Sequence, residues 1–300
     1  MLLDKITNKV GDTPLIKWNN IYLKMENNNP TGSIKDRPCL NMLKELISNK
    51  MIKKGDTIIC PTSGNMGISL AYFSNFYSIK VIIVLPDNST KERIDLLKSL
   101  NAEIILTSGF EGMKGSIKKA KELSLLHNYY YFDQFKSEDN YLAHYTTIEE
   151  IIKQLPNVDT IVCGIGTGGT YIGLCRYIKE HKLKINVVGY EPINVSLISN
   201  LIYNASNIID STKDTIPGVG STVISDIILN NINYIDKVVT IDPEIVRSYW
   251  KELINQNLDV GLSGSASIYI ANNLNNESPN NKIVAIIPDG LNRYLSDLNV

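Results

Sequence analysis

Cysteine, histidine and net charge are all scarce in this chain of 300 residues. The four cysteines, Cys39, Cys60, Cys163 and Cys175, are scattered and include no C-x-x-C pair, so no disulfide framework or thiolate metal site is expected. Two of them fall in apolar runs that read as buried strands, where a thiol serves as a small core residue. The three histidines, His127, His144 and His181, lie too far apart in sequence for a metal-ligand spacing, and no metal is expected. A net charge of −1, with no basic or acidic tract, gives no electrostatic reason to expect a nucleic-acid partner. No apolar run approaches membrane-spanning length, and Met1-Leu2-Leu3-Asp4-Lys5 lacks the apolar stretch of a signal peptide. A cytoplasmic protein without membrane partners is the expectation. Gly261-Leu262-Ser263-Gly264-Ser265 misses the G-x-S-x-G nucleophile elbow by its last residue, so no serine-hydrolase chemistry follows.

What is present is alternation. Short apolar runs at 57–60, 81–85, 103–106, 159–163, 186–190, 237–240 and 283–287 read as strands. Helical patterns fall between most of them, at 66–77, 90–100, 113–126, 171–182 and 243–256. This order predicts an α/β protein with parallel sheets covered by helices on both faces. The stretch 205–235, rich in Asn, Ser and Thr, reads as irregular.

Three segments carry chemistry. Ser33-Ile34-Lys35-Asp36-Arg37 follows the Pro30/Gly32 turn, and Leu40, Leu43 and Ile47 then recur at helical spacing. A lysine held at such a helix start suits Schiff-base chemistry, which needs a neutral amine; a surface lysine in a helix cap is the commoner alternative. The run Thr57–Cys60 leads into Pro61-Thr62-Ser63-Gly64-Asn65-Met66-Gly67, and Thr160–Cys163 leads into Gly164-Ile165-Gly166-Thr167-Gly168-Gly169-Thr170. Both are strand, polar turn, helix, and both offer N–H groups where anions bind. The first suits a carboxylate and the second a phosphate. Gly164, Gly166 and Gly169, with Glu191 about twenty residues on, also fit a dinucleotide fingerprint, which is a rival reading of that segment alone.

A lysine, a carboxylate loop and a phosphate loop together describe a pyridoxal-phosphate site. The chain resembles the cysteine synthase and cystathionine β-synthase family, the β-family of pyridoxal-phosphate enzymes, nearly end to end. Further motifs carry the likeness: Gly11-Asp12-Thr13-Pro14-Leu15, Gly112–Ile117, Asp133-Gln134-Phe135, Ala143–Thr147, Gly189-Tyr190-Glu191-Pro192, Ile216–Gly220 and Arg293-Tyr294-Leu295-Ser296. The resemblance implies two parallel-sheet α/β domains of the tryptophan synthase β-like fold with pyridoxal 5′-phosphate between them. It places a large domain at 1–39 plus 146–300 and a smaller, mobile one at 40–145, and it implies a homodimer.

It also implies roles. Lys35 would hold the cofactor and act as the base at Cα. Asn65 would contact the ring's 3′-oxygen, Gly166, Thr167, Gly168, Gly169 and Thr170 the phosphate, and Ser263 the pyridine nitrogen. Thr62, Ser63, Gly64 and Asn65 would hold the substrate carboxylate, with Met66 and Gln134 close by. Gly218, Ser221 and Thr222 would border the β-substituent or incoming nucleophile. Ser263 read from the residues alone is a helix N-cap before Ala266, Ile268 and Ile270.

The chain departs from the family pattern at Met66, where threonine is usual, at Ser221 and Thr222, where Ala and Gly are usual, and at Gly264, where the second serine and its glycine are exchanged. The implied activity is β-replacement through an aminoacrylate: O-acetyl-L-serine or a related serine derivative plus sulfide gives L-cysteine. The departures leave room for an enzyme that takes L-cysteine and expels sulfide, with water or a thiol as nucleophile, and for a 2,3-diaminopropionate-type synthase. A non-catalytic member that binds cofactor or a partner protein is the alternative of a different class.

Overall fold

The computed structural model of the protein describes residues 8–298 except 63, 208, 211–214 and 222. Among these residues the strands form two sheets. The larger orders β1 (Leu15–Trp18), β2 (Ile21–Met25), β10 (Ile283–Ile287), β7 (Thr160–Gly164), β8 (Asn186–Pro192) and β9 (Lys237–Ile241) side by side. Its strands are parallel except for the antiparallel β1–β2 pair. The smaller sheet is wholly parallel and orders β5 (Glu103–Thr107), β4 (Lys80–Pro86), β3 (Thr57–Pro61) and β6 (Tyr130–Tyr131).

Strands such as β4, Lys-Val-Ile-Ile-Val-Leu-Pro, are buried beyond their first residue, because a parallel strand covered on both faces needs an unbroken apolar run and not an alternating one. The helices that cover the small sheet are α1 (Asp36–Ser48), α2 (Asn65–Tyr77), α3 (Lys91–Ser99) and α4 (Gly112–His127). Cys39, Leu43, Phe73 and Ile83 belong to the core on the α1–α2 side, while Ile82, Val84 and Ala120 belong to the core under α4. Around the large sheet lie α5 (Glu138–Leu142), α6 (Tyr145–Gln154), α7 (Gly169–Glu180), α8 (Leu197–Tyr203), α9 (Asp226–Leu229), α10 (Pro243–Asn255) and α11 (Leu262–Glu277). Trp250, Ala266 and Ala285 mark the core on one face, and Ile148, Ile172 and Ile286 that on the other. All four cysteines are free and buried.

The seven strands expected from apolar runs are all present, within a residue or two at each end. Three elements carried a weak sequence signal or none, and of these the start of the Leu262–Glu277 helix alone was marked by its residues, at Ser263. The hairpin β1–β2 is short, and its outer strand is half exposed. Its inner strand carries Lys24, which is fully buried yet satisfied by Glu150 Oε2 at 2.7 Å and the Thr13 carbonyl at 2.6 Å. Helix α11 is rich in serine and asparagine, poor helix formers, and is held by packing against β10, β7 and α10. Within 205–235, α9 is a single turn capped by Ser225, whose hydroxyl accepts the Ile228 N–H at 3.2 Å.

The N-terminal segment crosses between the sheets. Strands β1 and β2 complete the edge of the large sheet, and the chain then passes through residues 26–35 into α1, which packs on α2 and α5. Lys35 sits at that crossing.

Candidate active site

In open parallel sheets, ligands gather at the carboxyl ends of the strands. Adjacent parallel strands β7 and β10 end here at Gly164 and Ile287, and the residues just beyond them, 164–170 and 288–289, line one cleft. Lys35, Asn65, Gly218 and Ser263 line the same cleft. Thus the lysine, the glycine loop, the asparagine and the α11 serine, more than 200 residues apart at the extremes, meet in one place.

Lys35 immediately precedes α1. Its loop is laced to the end of β10: Ile34 donates its N–H to the Pro288 carbonyl at 2.8 Å, and Ser33 bridges Asp289. Asp36 opens α1 and reaches back to accept the Thr31 N–H at 2.7 Å, the Thr31 hydroxyl, and the Ser69 hydroxyl at 2.6 Å. Ser69 also reaches the Asn65 carbonyl at 3.1 Å, so the loop and the start of α2 are tied together. Burial pushes the Asp36 carboxyl up to about 6, against the pull of these donors. The Lys35 amine has no hydrogen-bond partner among the described residues. Burial lowers its basicity, and the nearby charge of Asp289 partly restores it.

The glycine loop is shaped for a ligand to approach backbone. Gly168, at φ +89°, is the N-cap of α7, a conformation that side chains resist. At Gly166 any Cβ would stand 2.3 Å from the Gly218 carbonyl oxygen. The first turn of α7 presents N–H groups that no helical carbonyl can reach. Behind it, Asn140 Nδ2 touches the Thr167 hydroxyl at 3.3 Å, and the Thr170 hydroxyl meets His144 Nε2 at 3.2 Å. His144 is fully buried, and burial holds it neutral, aided by Lys35 and Arg37. Ser263 lies in the first turn of α11, whose N-cap is Gly261 and not Ser263 as the residue pattern suggested. Its carbonyl accepts the Tyr190 hydroxyl, and its side chain lines the cleft.

Other expected site residues fall around this center. Thr62 is buried, and its hydroxyl accepts the Gly64 N–H at 3.3 Å, shaping the turn before α2. Ser63 and Thr222 lie outside the described residues. Gln134 is buried, with its carbonyl accepting Asn140 Nδ2 at 2.6 Å. Ser221 is half-buried and accepts the Val223 N–H at 3.2 Å. Met66 is 1% exposed and packs in the core of the small sheet, and it is not among the residues that line the cleft. Gly264 likewise stands against Ile287 and not in the cleft lining. Glu191 accepts the N–H groups of Ile198 at 3.1 Å and Ser199 at 2.5 Å, so the carboxylate of the dinucleotide reading is spent on capping α8.

One cleft residue had been passed over. Asp289 is buried beside Lys35, receives Asn65 Nδ2 at 2.7 Å and the Tyr294 hydroxyl at 2.9 Å, and has its carboxyl raised by burial. The signal for it was available: a polar residue directly after a wholly apolar parallel strand sits where ligands bind.

The donor set fits pyridoxal phosphate. A half-buried amine facing the cleft suits a carbonyl, a backbone cradle closed to any Cβ at Gly166 suits a phosphate, and a hydroxyl on α11 suits a ring nitrogen. Comparison with known proteins agrees. The family model described as "Pyridoxal-phosphate dependent enzyme" matches residues 6–289. Cysteine synthase B of Campylobacter jejuni is 35% identical over 300 residues, covering 98% of this chain and 97% of that protein. A solved hydrogen sulfide-producing enzyme from Fusobacterium nucleatum is 33% identical with a TM-score of 0.88, covering 100% of this chain and 92% of that one. The O-acetylserine dependent cystathionine β-synthase from Helicobacter pylori is 34% identical with a TM-score of 0.86, covering 97% and 96%. This chain belongs to the family of pyridoxal-phosphate dependent enzymes, in its cysteine synthase branch.

Proposed function

We propose that this protein catalyses β-replacement in cysteine metabolism, exchanging the β-substituent of O-acetyl-L-serine or a related serine derivative for sulfide to give L-cysteine. The observation that carries this reading is the meeting of the unpartnered Lys35 amine with the α7 glycine loop in one cleft. Bound pyridoxal phosphate supplies the electron sink that makes the substrate Cα–H acidic.

The chain's residues then divide the remaining work. Lys35 would tether the cofactor and, once released by the substrate amine, take the Cα proton at Nζ. Burial lowers its basicity, in the direction that both tasks need. Gly166, Thr167, Gly168, Gly169 and Thr170 would hold the phosphate through N–H groups, hydroxyls and the positive end of α7. Ser263 would face the ring nitrogen with a hydroxyl, which leaves that nitrogen largely unprotonated and favours loss of the β-group over transamination. Asn65 would meet the ring's 3′-oxygen. The turn 62–65 at the start of α2 would clamp the substrate carboxylate, and closure of the 40–145 unit onto 1–39 plus 146–300 would exclude water. Gln134, Gly218 and Ser221 would border the substrate. We further propose that the protein acts as a cytoplasmic homodimer on small molecules. Among the described residues no helix is long and apolar enough to cross a membrane.

A second reading is favoured by the solved hydrogen sulfide-producing relative: L-cysteine as substrate, with sulfide expelled and water or a thiol added. The two are separated by titrating the holoprotein with O-acetyl-L-serine and with L-cysteine while sulfide is followed. Consumption of added sulfide with O-acetyl-L-serine is the expected result. Sulfide release from L-cysteine without response to O-acetyl-L-serine would move the assignment to the second reading, and no response to either would remove both.

A further inference from the structure

Asp289 places a carboxylate in a cleft otherwise built for anions. Its backbone is fixed: the Asp289 carbonyl accepts the Gly261 N–H at 3.0 Å, and the residue bridges Ser33. One carboxyl oxygen, Oδ2, takes both hydrogen bonds, from Asn65 Nδ2 at 2.7 Å and the Tyr294 hydroxyl at 2.9 Å. The other, Oδ1, is buried without a hydrogen-bond partner among the described residues, and a Cβ at Gly261 would stand 2.1 Å from it. A buried carboxyl with one bare oxygen is costly, and packing alone would be served better by a neutral side chain.

What a carboxylate adds is direction. An ionised carboxyl can only accept, so a neighbouring amide must present its NH₂ end and cannot turn its carbonyl oxygen round. The Asn65 amide is therefore held in one of its two rotations, and the same bond joins α2 of the small-sheet unit to the loop after β10. An amide NH₂ has two N–H bonds; one is spent on Asp289, and one remains for the cleft that both residues line.

We propose that Asp289 is a positioning residue that fixes the Asn65 amide so that its second N–H is donated to the pyridoxal 3′-oxygen, beside the Lys35 linkage. This deepens the function proposed above and rests on its assignment of Lys35 and Asn65. A donated hydrogen bond stabilises the ionised form of that oxygen and leaves the shared proton on the lysine nitrogen. A reversed amide would set two acceptors against each other and favour the opposite proton position. Asp289 acts on the ring through Asn65, without touching substrate.

The proton position is read directly from the ratio of long- to short-wavelength cofactor absorption in the resting holoprotein. Asp289→Ser is expected to shift this ratio toward the short-wavelength form by at least about threefold. It is expected to lower kcat about tenfold with KM within twofold. In an Asn65→Ala background the same substitution is expected to leave the ratio within about 1.5-fold, because its route to the ring is gone. An unchanged ratio in folded Asp289→Ser, or an equal shift in both backgrounds, would overturn the proposal. Should the serine variant not fold, Asp289→Asn, which keeps the volume, is read by the same criteria in the same two backgrounds. Failure of the parent assignment looks different: the wild-type protein would show no lysine-linked absorption, or Lys35→Ala would retain it.

Discussion

Two sets of carboxyls meet the segment 31–37, all buried except the half-buried Glu150, and they are satisfied by different means. Glu26 and Glu150 are gripped by cations. Arg37 Nε lies 2.7 Å from Glu26, Arg37 Nη2 lies 2.7 Å from Glu150, and Lys24 Nζ is 2.7 Å from the same Glu150 oxygen. Asp36 and Asp289 instead take hydroxyl, amide and backbone donors, from Thr31, Ser69, Asn65 and Tyr294. The electrostatic result diverges accordingly. Against the cost of burial, Arg37 and Lys24 hold Glu150 down at about 2, whereas burial pushes Asp36 up to about 6. A charge cluster that closes on itself fixes the backbone behind Lys35. Carboxyls held by neutral donors stay responsive to the charge of whatever enters the cleft.

The comparison breaks most sharply at Lys35. Lys35→Ala is expected to abolish covalent cofactor and to lower turnover at least about 10²–10⁴-fold, the range for losing a positioned base, while chemical stability changes by less than about 1 kcal/mol. Retained lysine-type absorption in that variant would refute the assignment. Arg37→Leu attacks the other set. It leaves Glu26 buried without its cation and Glu150 with Lys24 alone, and is expected to cost about 3–5 kcal/mol, measured as a lower urea midpoint. A loss near zero would mean that water replaces the guanidinium.

The smallest effect lies in the pH dependence. The folded state binds the Asp36 proton more tightly than the unfolded chain, where an aspartate titrates at its ordinary 3.8, so its contribution to stability falls as pH rises from about 4 to about 6. Glu150 works in the opposite sense: its contribution is complete above 4.5 and is lost as pH falls toward about 2. Each is on the order of 2–3 kcal/mol over its window. Urea midpoints of Asp36→Asn should therefore gain on wild type between pH 4 and pH 6, and a constant gap would show that Asp36 titrates normally.

Much of this molecule was legible in its residues. The unbroken apolar runs of the parallel strands, the Ser33–Arg37 segment and the Gly164–Thr170 loop each carry a local pattern with a physical cause. What was not legible depends on long-range partners. Lys24 is a strand residue only because Glu150 and Gln154 accept its ammonium. Helix α11, whose start the residues marked at Ser263, holds its full length on a serine- and asparagine-rich segment because β10 and β7 offer it a surface. The resemblance places Met66 near the substrate, and its residue type gives no hint that the first turn of α2 packs this side chain in the core. Asp289 carries no local pattern, and its meaning lies in a hydrogen bond to a residue 224 positions away.

The crossing of the N-terminal hairpin into the large sheet also sets a clock. Strand β2 pairs with β10, Tyr22 opposite Val284, so β2 waits for a strand made roughly 260 residues later. At the usual pace of synthesis, about 5–20 residues per second, the roughly 260 intervening residues take on the order of 13–50 s. Throughout that interval the β2 edge lacks its partner, and Lys35 has been made long before the far wall of its cleft. The small sheet, whose strands all lie between residues 57 and 131, can form early, but a complete cofactor cleft must wait until residues 288–289 have been made.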